Sequence, residues 1–498
     1  NVLVQIEPVK KFLEARGFTS IWVDTSNRPT PIAAAFRELI QESELLGLNP
    51  GDYWSETMEH RWPLNTREAA SELELLMTQS YLNFVADVAT GRVNPQSVDN
   101  EIDFRRRELT DMALLNSFLA NPAALRAGIS SLEPQHEPYR KLKQKLAQLL
   151  AVKANGGWTA LKAQKKLQKG MSSAAVPPLR KRLVLTGQLD GSEFANESQG
   201  FDEKLEAAVK AVQRQHMLKI TGIADTQFYG VINVPVEKRI QQIAASIEKW
   251  KWLPPELGEK HVFVNLARAE LDVYESGVSV MNMKVVVGKV LRRTPSLSDK
   301  IVDVALNPYW NVPQNLVIKD VLPGIKSDPA YLQKMNMKVF TPDGTQELDP
   351  SAINWAAQSP TNINFRFRQE PGHHNSLGIV KFNLTNSRAI YMHDTPHKEL
   401  FVEGPRNFSS GCVRLERPVD FATYLLKGTE WTEERIRKFT RESPNRVADY
   451  RITLENPLPV YLVFLQVSFA ADGEVRFASD NYGQDERLMQ ALQPAGVF

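Results

Sequence analysis

Apolar residues recur at helical spacing through the first 155 residues of the chain. Three segments carry the pattern: Pro31–Leu46, Thr66–Ala89 and Glu137–Ala151. In the second segment, Leu73, Leu76, Met77 and Phe84 fall on roughly one face, as in an amphipathic helix packed on a core. We predict an all-helical scaffold over residues 1–158, and we find no candidate for catalysis in it.

A second helical unit is predicted over residues 159–232. Its strongest helix covers Phe201–His216, and a short helix starts near Asp225 after a loop. The apolar stripe of the longer helix consists of Leu205, Val209 and Val212. Residues 233–258 are predicted to form a helical linker that leads into a different kind of domain.

From about residue 261 the pattern changes to short runs of alternating or β-branched apolar residues, which predict strands. The main runs are His261–Leu266, Glu270–Tyr274, Met281–Val287, Gly378–Tyr391, Val460–Val467 and Glu474–Ala478. The last two are predicted to form a hairpin around Ala471-Asp472-Gly473. We predict a β-rich domain over residues 259–484 and a C-terminal tail over 485–498. Residues from about 312 to 375, with short helical pieces and Pro- and Asn-rich loops, are predicted to be an insertion.

Together these patterns predict an α+β multidomain protein. The chain has 498 residues, 42% hydrophobic and 24% charged, enough for several domains with sizeable cores. A net charge of +2, from 60 basic and 58 acidic residues, argues against a dedicated nucleic-acid-binding protein. No run approaches the ~20 consecutive apolar residues of a membrane span. Because the first residue is Asn1 and not Met, we expect a processed or trimmed chain, and a removed secretory signal or anchor would fit.

Candidate chemistry centres on Cys412, the one cysteine, which excludes an internal disulfide and follows His393 by 19 residues. A strand-like run delivers His393 at its end, where the imidazole could take the thiol proton and return it to a leaving amine. The small residues Ser409–Gly411 predict a tight turn that holds the thiol just ahead of a helix near Pro418–Leu426. We expect the dipole and free N–H groups of that helix to favour the thiolate. Gly411 would let backbone N–H groups approach a reacting carbonyl closely, as an oxyanion hole requires.

The sequence segments around Cys412 and His393 resemble the catalytic motif of the L,D-transpeptidases, the YkuD-type domain. In that motif a histidine precedes a Ser-X-Gly-Cys-X-Arg/Asn block, as His393 precedes Ser409-Ser-Gly-Cys-Val-Arg414 here. Other segments that look like this family are Asn307–Pro313, Phe367–Gln369, Pro371-Gly372, Asn375–Gly378, Val380–Phe382 and Asp480–Gly483. Many members carry His-Gly-Cys, whereas Ser410 precedes Gly411 here, so His393 has no substitute base in the cysteine block.

The second helical unit resembles a small three-helix peptidoglycan-binding domain. The resemblance is carried by Phe201-Asp202, Gln213–His216 and Gly222–Asp225, although Met217 stands where that domain usually has glycine. With the helical scaffold, the whole layout is similar to the large YcbB-type branch of the L,D-transpeptidases. The resemblance covers most of the chain, and the first 155 residues are its least diagnostic part.

The resemblance implies a role for each residue of the motif. Cys412 would be the nucleophile, and His393 would be the general base and then the general acid. Tyr391 could point its hydroxyl at the substrate or the oxyanion, which the backbone N–H groups of Gly411 and Cys412 would hold. Arg414 could bind a carboxylate of the stem peptide, bidentately if the geometry allows.

Three residues are weaker candidates for contact with the substrate: Asn407, Ser410 and Trp310. Trp310 could line the cleft or pack as a core aromatic residue. No cofactor or metal is expected. A zinc site at His393, His397 and Cys412 is disfavoured because Pro396 interrupts a helix there and no second thiol or carboxylate cluster completes the ligands.

The resemblance implies two acyl transfers on peptidoglycan stem peptides. The Cys412 thiolate would attack the carbonyl between the third residue and the terminal D-Ala of a donor tetrapeptide, and an acceptor side-chain amine would then resolve the thioester as a 3→3 crosslink. Carbapenems would acylate the same thiol, and the insertion would cap the site and limit water. The family also implies a periplasmic or cell-envelope location, a part in wall synthesis and cell shape, and other wall synthases as candidate partners.

Two alternatives stay open beside transpeptidation. An L,D-carboxypeptidase would use the same Cys412 and His393 but let water resolve the thioester, trimming tetrapeptides to tripeptides. A non-enzymatic wall-binding scaffold would use neither residue. The intact Cys/His/Arg block favours catalysis, as does the liability of an unused free thiol in an oxidising exterior.

Overall fold

The computed structural model describes residues 6–62, 66–372, 374–402, 404–441, 446–470 and 472–493. Contacts between residues divide the chain into two compact units. The first consists of residues 1–256 and 464–498, and the second of residues 257–463. Each unit is described below by itself.

Residues 6–154 form the helical region that the apolar spacing predicts. Its helices are α1 Ile6–Ala15, α2 Pro31–Gln41, α3 Glu56–Arg61, α4 Arg67–Thr90, α5 Pro95–Val98, α6 Met112–Ser117, α7 Pro122–Leu132 and α8 Glu137–Ala154. Thr66 begins α4 because its side chain accepts a hydrogen bond from the N–H of Ala69. The four apolar residues predicted on one face of α4 are buried in a core with Trp22 and Phe36, which confirms that prediction.

A second core lies between residues 167 and 232. Its elements are β1 Lys166–Leu167, α9 Val176–Leu185, α10 Glu203–Gln215, β2 Ala224–Asp225 and α11 Thr226–Ile232, and α12 Val236–Trp252 follows. The predicted apolar stripe of α10 is buried in this core. Met217 has a φ of 56°. That left-handed conformation favours glycine, which accounts for the glycine usual at this position.

The second unit is built on a large sheet. Its first elements are β3 Lys260–Asn265, β4 Glu270–Glu275, β5 Val278–Gly288, β6 Leu297–Leu306, β7 Trp310–Asn311, α13 Gln314–Leu316, α14 Leu322–Ser327, α15 Tyr331–Lys334, β8 Met337–Phe340, β9 Glu347–Leu348 and β10 Arg366–Gln369. The remaining elements are β11 Val380–Leu384, β12 Met392–His393, β13 Asn407–Ser409, β14 Val413–Leu415, α16 Pro418–Leu425, α17 Glu433–Phe439 and β15 Tyr450–Val463. The strand order is β13-β5-β14-β12-β11-β6-β15-β3-β4, and β4 also pairs with β5, so the sheet turns back on itself.

The predicted insertion contains a small sheet of its own, ordered β7-β10-β8-β9. Val317, Val339 and Phe367 are among the residues of a separate hydrophobic core there. The helical pieces expected between Lys319 and Met335 are present, preceded by a π-helical turn at Val317–Val321. The sequence did not predict the strands of this sheet, because runs of two to four residues are too short to show alternation.

The end of the chain adds β16 Val467–Phe469, β17 Val475–Phe477 and α18 Gln484–Leu492. The two strands pair antiparallel, and β17 lies where the second strand of the hairpin was predicted. The first predicted strand was wrong, because Val460–Val463 belong to β15 of the large sheet and the hairpin uses Val467–Phe469 instead. Ala471 of the predicted turn lies outside the described residues. Most of the segment predicted as a tail is therefore helical where it is described, and the predicted domain boundaries stay predictions. Among the described residues, no helix is both long and apolar enough to cross a membrane.

Candidate active site

The pairing of three central strands brings the candidate residues to one face of the sheet. β12 runs parallel to β14 with His393 opposite Arg414, and antiparallel to β11 with His393 opposite Lys381. Since alternate residues along a strand point the same way, Tyr391 and Cys412 share this face. The opposite face is core: Phe382, Met392 and Val413 are fully buried. We call these five residues, Lys381, Tyr391, His393, Cys412 and Arg414, the thiol face.

A serine holds the turn before the thiol. The hydroxyl of Ser409 donates to the carbonyl of Cys412 at 2.6 Å and accepts from the N–H of Gly411 at 3.2 Å. Gly411 has a φ of 122°, a conformation that favours glycine. Because its N–H is already donated to Ser409, the predicted use of Gly411 as an oxyanion donor does not fit this conformation. The structure shows no acceptor for the Cys412 N–H among the described residues, so that group is free for the task.

The prediction that a helix dipole acts on Cys412 is wrong. Strand β14 follows the cysteine directly, and α16 begins only at Pro418, so the thiol does not lie at a helix N-terminus. The Cys412 side chain is half-buried, and burial raises the pKa of its thiol. Hydrogen bonds from the amide and hydroxyl of Tyr391 and the charges of Lys381 and Arg414 act in the opposite direction on this pKa. The resting group is therefore a thiol that needs a base.

His393 is arranged as a neutral base. Its ring is only 4% exposed, and Nδ1 lies 2.5 Å from the carbonyl oxygen of Asp394. A carbonyl oxygen can only accept, so we assign the proton to Nδ1, which leaves Nε2 unprotonated. Burial, and then the charge of Arg414, lower the pKa of His393 to about 3. The imidazole is therefore unprotonated at neutral pH.

Asp394 is itself held in place. Its carboxylate accepts from the N–H of Ile379 at 2.9 Å and from the ammonium of Lys398 at 2.6 Å. Gly378 packs so closely that a Cβ there would lie 2.3 Å from the Asp394 carboxylate. The family-like segment Asn375–Gly378 therefore contributes to the tautomer of His393 through Asp394.

Tyr391 connects the thiol to the insertion. Its hydroxyl donates to Cys412 and accepts from the indole N–H of Trp310, and burial raises its pKa well above the usual value of 10. The rings of Tyr391 and His393 are 5.6 Å apart, and the Lys381 ammonium lies 4.3 Å from the centre of the Tyr391 ring. Trp310 also packs against the core of the insertion, and its predicted contact with the substrate stays a prediction.

Arg414 is a half-buried cation without a direct ion pair in the described part of the chain. Among the described residues it forms no ion pair and no hydrogen bond, and its Nε is buried without a partner. Burial lowers the pKa of its guanidinium, while Coulomb interactions with Cys412, Tyr391 and Glu399 raise it. A planar guanidinium left open in this way can take a carboxylate.

Asn407 and Ser410 each form a hydrogen bond to a neighbouring segment, and Ser410 is exposed. The Asn407 amide donates to the carbonyl of Gly288 at 3.3 Å. Ser410 accepts from Arg292 at 3.0 Å, and the same guanidinium binds both carboxylate oxygens of Asp320 in the insertion at 2.6 and 2.9 Å. Arg292 therefore links the cysteine turn to the insertion.

Sequence reasoning did not select Lys381 or Arg292 as site residues, and it named Ser409 only as part of the turn that holds the thiol. Lys381 and Ser409 lie inside segments already quoted for the family resemblance, so their position was a usable signal. Arg292 lies in a loop without a motif. Among the described residues, no group of three His, Cys, Asp or Glu side chains could hold a metal ion.

Three family models match the chain. One described as the L,D-transpeptidase catalytic domain matches residues 259–436, one described as a scaffold domain matches 7–146, and one described as "Putative peptidoglycan binding domain" matches 172–232. The chain therefore carries a YkuD-type L,D-transpeptidase catalytic domain together with a peptidoglycan-binding domain. The predicted resemblance and the α+β multidomain class are confirmed.

The chain is also similar to individual proteins. A Haemophilus influenzae protein named "Putative L,D-transpeptidase" is 34% identical over 248 residues, which cover 50% of this chain and 49% of that protein. The chain thus spans about half the length of the curated relative it matches. Crystal structures of L,D-transpeptidase 3 from Mycobacterium tuberculosis, in complex with a faropenem-derived adduct, and of an L,D-transpeptidase from Stackebrandtia nassauensis each align at 13% identity. They cover 41% and 61% of this chain and 60% and 97% of their own, with TM-scores of 0.19 and 0.23.

Proposed function

We propose that this protein is a cysteine-dependent L,D-transpeptidase that forms 3→3 peptidoglycan crosslinks through a Cys412 thioester. The observation that supports the proposal most is the thiol face, where one strand pairing sets a thiol, a neutral imidazole and an unpaired guanidinium side by side. A thiol, a base and an anion receptor are the parts that acyl transfer from a peptide carboxy-terminus needs.

Acylation starts with proton transfer from the Cys412 thiol to Nε2 of His393. The thiolate attacks the carbonyl between the third residue and the terminal D-Ala of the donor stem, forming a C–S bond. The Cys412 N–H and the Tyr391 hydroxyl stabilise the oxyanion, in place of the predicted pair of amides. As the C–N bond breaks, His393 returns the proton to the leaving amine of D-Ala, and a thioester remains.

The deacylation step distinguishes an L,D-transpeptidase from an L,D-carboxypeptidase. A side-chain amine of an acceptor stem attacks the thioester, passes a proton to His393 and forms the new amide, while the thiol is restored. Water in the same place gives a tripeptide and makes the protein an L,D-carboxypeptidase. The insertion favours the amine in this proposal, because Trp310 and the Arg292–Asp320 pair fasten it beside the thiol and restrict access of water.

The other domains are proposed to determine where the enzyme binds and works. We infer that the region around residues 159–232 attaches the protein to peptidoglycan, that the helical region around 1–158 is its scaffold, and that it works in the periplasm or cell envelope. Carbapenems are proposed to acylate Cys412, since a strained acyl donor meets the same thiol and base. Other wall synthases remain proposed partners, and no nucleic acid or cofactor is involved.

The test is mass spectrometry of the products formed from purified disaccharide-tetrapeptide. Dimers lacking one D-Ala, formed by the wild type and absent with Cys412→Ala, are expected. Tripeptide monomers alone would keep the catalytic pair but assign the carboxypeptidase activity. Unchanged substrate with the wild type, in the presence of acceptor stems, would favour a wall-binding scaffold.

A further inference from the structure

Lys381 lies on the thiol face in the middle of β11. Its neighbours Val380 and Phe382 are fully buried, so the strand cannot turn the lysine outward without exposing core residues. The side chain is half-buried, and its ammonium lies 4.3 Å from the centre of the Tyr391 ring. This is a cation–π contact on the residue whose hydroxyl donates to Cys412.

The charged groups facing Lys381 come from four strands. Across β6 and β15 lie Asp303, Asp449 and Arg451, and across β12 and β14 lie His393 and Arg414. Both acids have other partners: Asp303 accepts from the Asn383 amide at 2.6 Å, and Asp449 pairs with Arg451 at 3.0 Å.

Within the described part of the chain, the Lys381 ammonium has no ion pair and no hydrogen bond. Burial and then the charge of Arg451 lower its pKa, whereas the charges of Asp449, Cys412 and Asp303 raise it. A half-buried cation is costly without a counter-charge. Asp303 and Asp449 act on the ammonium only at a distance and are bound to other partners, so the charge that forms on the sulfur during the reaction adds a counter-charge on the thiol face.

We propose that Lys381 is a positioning residue that stabilises negative charge on the Cys412 sulfur by acting through the Tyr391 ring. The ammonium on the ring face withdraws electron density, so the phenol hydroxyl becomes a stronger donor to the sulfur. This inference rests on Cys412 being the nucleophile, but its test needs no peptide substrate. A failure of transpeptidation would therefore not be mistaken for a failure of this role.

The test measures the rate at which iodoacetamide alkylates Cys412 between pH 6 and 10. The thiolate displaces iodide and forms the C–S bond, and the single cysteine makes intact mass an unambiguous readout. Lys381→Met is expected to react about three- to tenfold more slowly at neutral pH, equivalent to about 0.5–1 unit in the midpoint of the profile. Lys381→Arg is expected to restore most of the rate. Lys300→Met, on an exposed position of β6, is the matched control and should react like the wild type.

The route through the ring is tested in a Tyr391→Phe background. There Lys381→Met should slow alkylation by less than twofold, because the hydroxyl that transmits the effect is gone. Equal slowing in both backgrounds would overturn the role of Tyr391. A folded Lys381→Met or Lys381→Gln protein with the wild-type alkylation profile would overturn the whole inference, even if its crosslinking activity fell. Melting curves of each variant identify one that fails to fold, and Lys381→Gln then takes the place of Lys381→Met.

Discussion

Two groups of buried cations in this protein are built in opposite ways. In the first unit, the ammonium of Lys249 donates to the carbonyl of Phe464 at 2.9 Å and to the carboxylate of Asp485. Lys251 on the same helix, α12, donates to the carbonyl of Leu46 at 3.2 Å. These cations are satisfied by the protein itself, and their partners come from distant parts of the same unit.

The thiol face leaves its cations open. Lys381 touches only an aromatic ring, and the Nε of Arg414 is buried without a partner among the described residues. The difference teaches how to tell structural from functional charge. A buried cation with carbonyl and carboxylate partners stabilises a junction, whereas one without an anion awaits a ligand or a charged intermediate.

The largest expected effect is on the base. His393→Gln keeps a donor for the Asp394 carbonyl but removes the proton acceptor, so kcat/KM for crosslinking should fall about 10³–10⁴-fold. Steady-state kinetics with a melting curve checks this. Loss of activity only in proportion to unfolded protein would show that His393 is structural and would weaken the contrast between the two regions.

The next largest expected effect is on stability, through the buried ion pair of Lys249 and Asp485. Asp485→Ala leaves the Lys249 ammonium buried with a carbonyl alone, and should reduce the free energy of unfolding of its unit by about 3–5 kcal/mol. Denaturant unfolding measures this change, and the exposed Asp472→Ala serves as the control. A reduction below about 1 kcal/mol would mean that the paired cations do not support the structure as argued.

Replacement of Arg414, which has no ion pair among the described residues, should lower activity and not stability. Arg414→Leu is expected to lower kcat/KM about 10- to 100-fold through the lost carboxylate contact, while the melting temperature stays equal or rises. Parallel kinetics and melting curves decide the matter. A marked loss of stability without a change in KM or kcat would place Arg414 with the structural cations.

The smallest expected effect is on the pH dependence of stability. The folded pKa of His393, about 3, lies below the ordinary value of 6.5, so the unfolded chain binds the proton first as the pH falls. Its contribution to stability is complete above pH 6.5 and is lost progressively toward pH 3. Between pH 6 and 5 we expect a loss of about 1 kcal/mol that His393→Gln removes. Identical slopes for both proteins would contradict the buried neutral imidazole.

Much of the architecture could be predicted from the sequence because long elements show their periodicity. The stripes of α4 and α10, the strands β3 to β5 and the second strand of the C-terminal hairpin lie where the pattern puts them, whereas the first strand of that hairpin does not. β14 has only three residues, too few for a pattern, and its presence is why the expected helix at Cys412 was wrong. The site followed the same division. Local motifs pointed to Cys412 and His393, whereas Lys381 lay in a quoted segment, Val380–Phe382, whose place beside them is set by strand register and not by local sequence.

The most direct test of the central claim is the mass of the protein itself during turnover. Acid quenching after brief mixing with disaccharide-tetrapeptide should trap an adduct on Cys412 equal to the substrate minus D-Ala, absent in Cys412→Ala. That adduct should disappear when an acceptor stem is added, as the crosslinked product accumulates. Crosslinked product formed without the adduct, or formed equally by Cys412→Ala, would contradict acyl transfer through this thiol.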